Sequence, residues 1–239
     1  MALLEVHGLS KRFGSVTAAD ALAFAVEPNE ALGIIGPNGA GKTTLFGLIS
    51  GSLFPDAGAI RLDGEDITKA PPHRRCHAGI ARSYQIPRPF ENLTVFENLL
   101  VAAVHGRRKS EAEAAPLCGE ILERCGLLPR ANRRAGALTL LERKRLEMAR
   151  ALATGPRLLL LDEIAGGLTE HECAALVATI KDLRSTGITI VWIEHIVHAL
   201  LAVVDRLIVL NFGRKITEGD PQTVMNSTDV KQIYIGIEA

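Results

Sequence analysis

The sequence predicts an α/β protein: a mostly parallel sheet with covering helices, an N-terminal antiparallel β part, and an inserted helical subdomain. Three observations carry this expectation. After Gly155, short apolar runs of strand type alternate with helical runs, the pattern of parallel strands joined by crossover helices. From Pro87 to Ala153 that alternation gives way to helical periodicity alone. Between them in character, the β-rich run Ala31–Ile35 breaks into a glycine loop and then a helix from about Lys42.

Taken in order, Leu3–Leu9 and Leu22–Val26 read as short strands, and "GAIRLDGEDI" as a strand with a turn. "GIARSYQ" reads as a strand ending at Gln85. Val95–Val104, Ala115–Cys125 and Thr139–Ala153 read as helices, with the polar stretch "GRRKSEAEAA" between the first two. Pro116 near the start and Gly126 at the end frame the second helix, whose Leu117, Ile121, Leu122 and Cys125 share a face. Thr139 and Glu142 have capping-box spacing at the start of the third. The alternation then runs Leu158–Leu161, Glu170–Leu183, Ile188–Ile193, Ile196–Val203 and Leu207–Leu210. The closing "KQIYIGIE" is too short to assign, and Arg107–Lys109 reads as a solvated loop. The helical stretch divides the chain into a core of residues 1–85 and 156–239 and a helical part of residues 86–155.

Composition narrows the function. The chain has 239 residues, enough for a substantial core, and its 27 Lys+Arg balance 27 Asp+Glu. That excludes the basic excess on which non-specific nucleic-acid binding depends. Apolar runs such as "GITIVWI" fall far short of the ~20 residues of a membrane span. "MALLEVHGLSKRFG" has no apolar core of signal-peptide length before its charges. Cys76, Cys118, Cys125 and Cys173 form no Cys-x-x-Cys pair and read as reduced cytosolic thiols.

"GPNGAGKTT" fits Gly-x-x-x-x-Gly-Lys-Thr, with Gly36, Gly41, Lys42 and Thr43 in the fixed places and Pro37, Asn38, Gly39, Ala40 and Thr44 completing the loop. Glycines let backbone N–H groups wrap phosphates, and the following helix N-terminus adds positive potential. Lys42 supplies a point charge to the β- and γ-phosphates, and the Thr43 hydroxyl is a Mg²⁺ ligand. The motif implies a nucleoside-triphosphate site that takes Mg²⁺ with the nucleotide. Asp162 and Glu163 end the apolar run Leu158–Leu161, so both carboxylates emerge at the C-terminal edge of a buried strand, beside the phosphate loop. There Asp162 holds Mg²⁺ and Glu163 polarises the attacking water; the plainer reading is two solvated acids at a strand end. Gln85, His195 at the end of "ITIVWIEH", and Phe13 in the "KRFG" turn each read, alone, as a hydrogen-bonding Gln, a satisfied His and a packed Phe. His73, Cys76 and His77 have helical metal-ligand spacing, but Arg74, Arg75 and the lack of a fourth ligand argue against a metal there.

In this order and at these intervals, the chain resembles the ATP-binding-cassette family of transporter ATPases along essentially its whole length. The resemblance implies a P-loop NTPase core in which Phe13 stacks on adenine and Gln85 contacts Mg²⁺ and the lytic water. Asp162 and Glu163 are then the Walker B pair, and His195 touches the γ-phosphate. "Gly166-Gly167-Leu168-Thr169" falls on the loop that crosses to a partner subunit; Thr169 stands where the family usually has Asp, and Ile164 where Pro often follows the catalytic Glu. The family's signature, Leu-Ser-Gly-Gly-Gln, lands on Leu138, Thr139, Leu140, Leu141 and Glu142, so leucines replace both glycines. Leucine keeps the backbone N–H but hinders close approach to a partner's ATP and any positive φ.

"GIARSYQIPRPFENLTVFENLLVA", "RKRLEMARAL", "IEH", "VLNFGRKITEGDP" and the closing "YIG" are similar to the importer ATPases for branched-chain amino acids. The lipopolysaccharide-export ATPase is a near relative but usually has Pro where this chain has Tyr84. The resemblance implies ATP hydrolysis coupled to transport, at the cytoplasmic face of the membrane. Its partners would be a homologous ATPase subunit (a heterodimer), integral permeases and, indirectly, a periplasmic or surface binding protein, with no nucleic acid. Other substrates (other amino acids, amides, lipopolysaccharide), a soluble cassette of DNA repair or translation, and a small-molecule kinase are the alternatives. The interval between Gln85 and Leu138 leaves no room for a repair protein's long coiled coil, and a kinase would not need Gln85, His195 and a signature position together.

Overall fold

A computed structural model describes residues 1–235 of the chain. It opens with a long antiparallel hairpin, Leu4–Phe13 (β1) and Val16–Val26 (β2), in which Phe13 faces Val16. Leu4, Val6, Leu9, Leu22, Phe24 and Val26 form its buried face. Both strands run well beyond the apolar stretches read from sequence. Their outer ends are half-exposed and carry no alternation, but they satisfy one another's backbone groups. Phe13 is therefore the last residue of a strand, and the turn is Gly14–Ser15.

The chain then enters the second layer through Ala31–Ile35 (β3), all five residues buried, and continues into Lys42–Ser50 (α1). Ala57–Leu62 (β4) and Glu65–Asp66 (β5) return to the first sheet, giving the order β2-β1-β4-β5. The short helix Pro72–His77 (α2) follows, and its Arg75 is wholly buried. Burial pushes the pKa of Arg75 down to about 10. Its guanidinium is satisfied by four backbone carbonyls, of Leu48, Ile49, Thr68 and Ala70, so it caps the end of α1.

Ile80–Arg82 (β6) is shorter than expected. Ser83 N–H still reaches Leu160 O, but the chain then leaves the sheet, so Gln85 lies in a loop and not at a strand end. Three helices follow: Val95–Arg107 (α3), Glu111–Arg124 (α4) and Leu140–Ala153 (α5). All three begin with a capping box, Thr94 with Glu97, Ser110 with Glu113 and Thr139 with Glu142. The Ser110 cap starts α4 four residues earlier than the apolar periodicity suggests, which leaves Pro116 inside the helix and not near its start. Arg107 is not in a solvated loop. It ends α3 and donates to Ala153 O (3.0 Å) and Leu152 O (3.4 Å), closing the end of α5. A Cβ on Gly106 would lie 2.8 Å from Thr154 Cα, so only glycine lets these two helix ends meet.

After α5 the chain returns to the sheet as Leu158–Asp162 (β7), followed by Glu170–Ser185 (α6), Thr189–Ile193 (β8), Val197–Leu201 (α7) and Arg206–Asn211 (β9). Thr169 caps α6 in another capping box, with Glu172. The antiparallel edge strand Arg214–Gly219 (β10) and the helices Pro221–Asn226 (α8) and Thr228–Ile235 (α9) were not legible in the sequence, where β10 is largely exposed and carries no apolar stripe. Gly236 of the closing "YIG" lies outside the described residues. The second sheet has the order β10-β9-β3-β8-β7-β6, parallel except at β10. Strands β3, β7 and β8 are buried throughout because both faces are covered. One core, with Leu45, Phe46 and Ile49 of α1, lies towards the first sheet; the other, with Leu99, Leu122 and Leu146, lies under the helices. Among the described residues no helix is long and apolar enough to cross a membrane.

Candidate active site

The central parallel strands end on one side of the sheet, and the loops leaving β3, β6, β7 and β8 converge there. The loop from β3 to α1 carries the glycine motif. Gly41 has φ +99°, and a Cβ on it would lie 2.1 Å from Ala18 O of β2. At Gly36 the equivalent clash is with Leu210 O, also at 2.1 Å. Side chains at either position would push the loop off the two strands that shape it. Lys42, buried at the first position of α1, donates to Gly36 O (2.7 Å) and Pro37 O (3.0 Å), so its ammonium is drawn back over the loop. Burial lowers its pKa, while the charges of Glu163 and Asp162 oppose that shift. Asn38, Gly39, Ala40, Gly41, Lys42, Thr43 and Thr44 line a cleft of ≈ 290 Å³ with Val16, Ala18 and Glu163. Thr43 is exposed there. Phe13, half-exposed with Lys11 Nζ 5.6 Å from its ring centre, stands opposite Val16 at the cleft's edge.

Asp162 is the last residue of β7 and is 3% exposed. Burial raises its pKa, against the hydrogen bond and charge of Arg82, whose guanidinium lies 2.6 Å from Oδ2. Glu163, the next residue, takes the left-handed conformation at φ +47°, a strained choice for a residue with a side chain. Its N–H donates to Ile193 O of β8 (2.8 Å). This turn swings the carboxylate out of the sheet to meet two other loops. His195 Nε2 lies 2.7 Å from Oε1, and Gln85 Nε2 donates to Oε2 at 2.6 Å. Three residues far apart in sequence thus meet at one carboxylate, although neither Gln85 nor His195 ends a strand; β8 stops at Ile193.

Leu138–Glu142 lies at the start of α5. Leu138 is buried, Leu140 is 46% exposed, and neither Leu140 nor Leu141 has positive φ, since both are helical. The expected conflict with a glycine-only backbone therefore does not arise; what remains is the bulk of the side chains. Leu140 Cδ2 lies 3.4 Å from where a Cβ on Gly167 would be, which brings this segment against the loop after Glu163. Glu142 accepts from Thr139 N–H (2.9 Å) and from Arg130 Nε (2.7 Å).

The donors suit a hard divalent cation shared with phosphate oxygens: the Thr43 hydroxyl and the Asp162 carboxylate supply oxygen only. His77, by contrast, is engaged by His105 O (3.1 Å) and Arg108 (2.9 Å). Among the charged groups at the site not read from sequence are Arg82 and Glu194. Each had a signal: a charge directly after a short apolar run, as at Asp162.

Comparison with known proteins agrees with this geometry. Residues 19–166 match the family model for ABC transporters. The chain is 39% identical to the high-affinity branched-chain amino acid transport ATP-binding protein BraF of Pseudomonas aeruginosa, over 98% of both chains. It is 36% identical to LivG of Escherichia coli K12, a protein of the same description, with the same coverage, and 34% identical to the lipopolysaccharide export system ATP-binding protein LptB of Haemophilus influenzae, over 99% of this chain and 98% of LptB. Among solved structures, the ADP conformation of MJ1267, an ATP-binding cassette of an ABC transporter, superposes with a TM-score of 0.91 at 32% identity, covering 99% of each chain. With a glycine phosphate loop, paired carboxylates at a strand end and full-length likeness to ATP-binding cassettes, the chain belongs to the ABC transporter family, as one of its ATPases.

Proposed function

We propose that this ATPase drives an importer for branched-chain amino acids, and that its own hydrolytic centre is built on Glu163. The observation that carries the chemistry is the convergence of Gln85 and His195 on the two oxygens of that carboxylate. The substrate class rests on the likeness to BraF and LivG. In this reading the loop Gly36–Thr44 holds the phosphates of ATP by backbone N–H groups, Lys42 turns its charge from the loop carbonyls to the phosphates, and Phe13 supports the base. Thr43, Asp162 and, through its amide oxygen, Gln85 would hold Mg²⁺, which would neutralise phosphate charge when bound. Glu163 takes a proton from the attacking water, Gln85 orients that water, and His195 sits at the γ-phosphate end.

The same reading divides the chain into a core of residues 1–85 and 156–239 and a helical subdomain of residues 86–155. It pairs the chain with a second, different cassette and places it at the cytoplasmic face of the membrane, against permease subunits, with a binding protein acting indirectly. The permease contact proposed is the segment Pro87–Leu93 with α3. There a groove of ≈ 420 Å³ is lined by His73, Cys76, Phe90, Val101 and Ala102 among others, and Phe90 is half-exposed. Arg150 of α5 lies 5.0 Å from the Phe90 ring centre and donates to Arg88 O (2.9 Å), so movement of this segment reaches both α5 and Gln85.

The test is isolation of the assembled complex from its native membrane, with a cross-linker on Glu91→Cys, which is exposed. Capture of a permease, with ATP hydrolysis stimulated by leucine, isoleucine or valine, supports the reading. Ribosomes or DNA as the copurifying partner, or capture only from the opposite end of the domain, overturn it.

A further inference from the structure

Behind Glu163 lies a second carboxylate that the proposed chemistry does not use. Glu194, between Ile193 and His195, is 1% exposed and directly follows a strand of apolar residues. A buried carboxylate is costly unless its oxygens are occupied. Here they are. Oε1 accepts from His195 N–H (2.9 Å) and Ile196 N–H (3.4 Å), and Oε2 accepts from Ala165 N–H (2.9 Å), in the loop after β7.

The two oxygens therefore face different loops, one bearing His195 and one bearing Glu163. The Glu163 segment has an unusual need for such restraint, because φ at Glu163 is +47°. It is held on one side by Ile193 O, which accepts from Glu163 N–H, and two residues later by Glu194. A third tie comes from α5. Lys144 is buried, its Nζ lies 3.4 Å from Glu163 O, and the charges of Glu194 and Glu163 act on it against the lowering of its pKa by burial. Lys144 thus adds a hydrogen bond from α5 to the Glu163 backbone.

We propose that Glu194 is a positioning residue: by bridging the backbones of Ala165 and His195 it holds the Glu163 carboxylate and the His195 ring in register. It touches neither water nor phosphate and acts through Glu163 and His195, so the inference rests on the catalytic reading of those two. Its loss leaves the phosphate loop intact, because none of its partners belongs to that loop.

The test compares Glu194→Ala, Glu194→Gln, His195→Ala and the double variant Glu194→Ala/His195→Ala in the full-length assembled transporter, with Glu163→Gln as reference. Turnover, affinity for a fluorescent ATP analogue and thermal midpoint are measured for each. Displacing a reacting group by about 1 Å costs roughly 10²-fold. Glu194→Ala is expected to lose about that in kcat with ATP affinity within about twofold of wild type. Glu194→Gln keeps one accepting oxygen and can serve only one loop, so it is expected to lose about tenfold. In the double variant the two losses are expected not to multiply, as for residues acting as a unit.

Wild-type kcat in Glu194→Ala beside a Glu163→Gln variant slowed roughly 10²-fold overturns this inference and leaves the catalytic reading standing. Losses that multiply in the double variant also overturn it. Wild-type turnover in Glu163→Gln overturns the catalytic reading, and the inference with it. If Glu194→Ala does not fold, Glu194→Gln decides: a folded variant with a tenfold lower kcat and intact ATP affinity supports the role, and one with full kcat removes it.

Discussion

Arg82 and Asp162 form a buried ion pair, 2.6 Å from guanidinium nitrogen to Oδ2, at the point where β6 and β7 end side by side. Arg82 also lies 5.6 Å from the ring centre of Phe46 and 4.9 Å from that of Tyr84, the residue before Gln85. One cation therefore faces the acid proposed to hold Mg²⁺ and the segment leading to Gln85.

This pair predicts a pH-dependent cost for Arg82→Met. Burial raises the Asp162 pKa and Arg82 opposes the rise. For a carboxyl raised in the native state, the stability it contributes is full below the unfolded value and is lost as pH rises through the native one. Removing Arg82 raises the native value further and carries that loss to higher pH. Breaking a buried pair costs about 3–5 kcal/mol near neutral pH, where Asp162 is left charged and alone. At acid pH, as Asp162 takes up a proton, the difference from wild type should shrink. Urea denaturation at both pH values measures it, and a penalty that does not change with pH is incompatible with this account.

Lys42 and Glu163 should separate binding from chemistry. Loss of a charge-assisted contact is worth about 1.5–3 kcal/mol, so Lys42→Ala should weaken ATP binding by at least about tenfold. Glu163→Gln should leave binding nearly intact while turnover falls roughly 10²-fold or more, as for loss of a general base. Equilibrium binding and steady-state hydrolysis on the same preparations distinguish the two. Wild-type turnover in Glu163→Gln would refute the role of its carboxylate.

How much of this was legible in the sequence depended on how local each constraint is. Gly36, Gly41 and Lys42 were readable because a loop that wraps phosphates imposes spacing within nine residues. Asp162 was readable because a wholly apolar strand must end somewhere, and its first charge marks the edge. Gln85 and His195 could be named by resemblance, but no local rule shows that both meet Glu163, which requires the register of three parallel strands. Arg107 failed for the same reason: its partners are the carbonyls of Leu152 and Ala153 on another helix, and beside Arg108 and Lys109 it reads as one of a solvated cluster. Glu194 was hidden by its neighbour, since "IEH" draws attention to the histidine. The cap at Ser110 was legible in principle, through Glu113, but the polar stretch around it obscured the helix that contains Pro116.

The last prediction concerns Leu140 and Leu141. In the proposed dimer with a cassette that keeps both signature glycines, the two ATP sites are unequal. The site built on this chain's Lys42, Glu163 and His195 is covered by the partner's glycine loop, and the partner's site by Leu138–Glu142. In the latter the backbone is helical and its N–H groups are kept, but Leu140 projects into solvent, and the Thr139 hydroxyl is occupied in accepting from Glu142 N–H (3.3 Å). Glu142 adds a carboxylate where the family has an amide, partly offset by Arg130 at 2.7 Å. One lost preorganised contact to transition-state charge is worth about 10²-fold, which sets the upper bound on the deficit at the partner's site. Leu140→Gly with Leu141→Gly should therefore speed hydrolysis there, at a cost of up to about 1 kcal/mol per glycine in helix stability. The measurement is transport-coupled hydrolysis in a complex whose other site is silenced by Glu163→Gln in this chain, so that only the partner's site reports. A faster rate means that leucine bulk limits closure. An unchanged or lower rate in a folded, assembled complex means that the leucines are compatible with closure, and that Leu140, already lying against Gly167, packs within the interface instead of obstructing it.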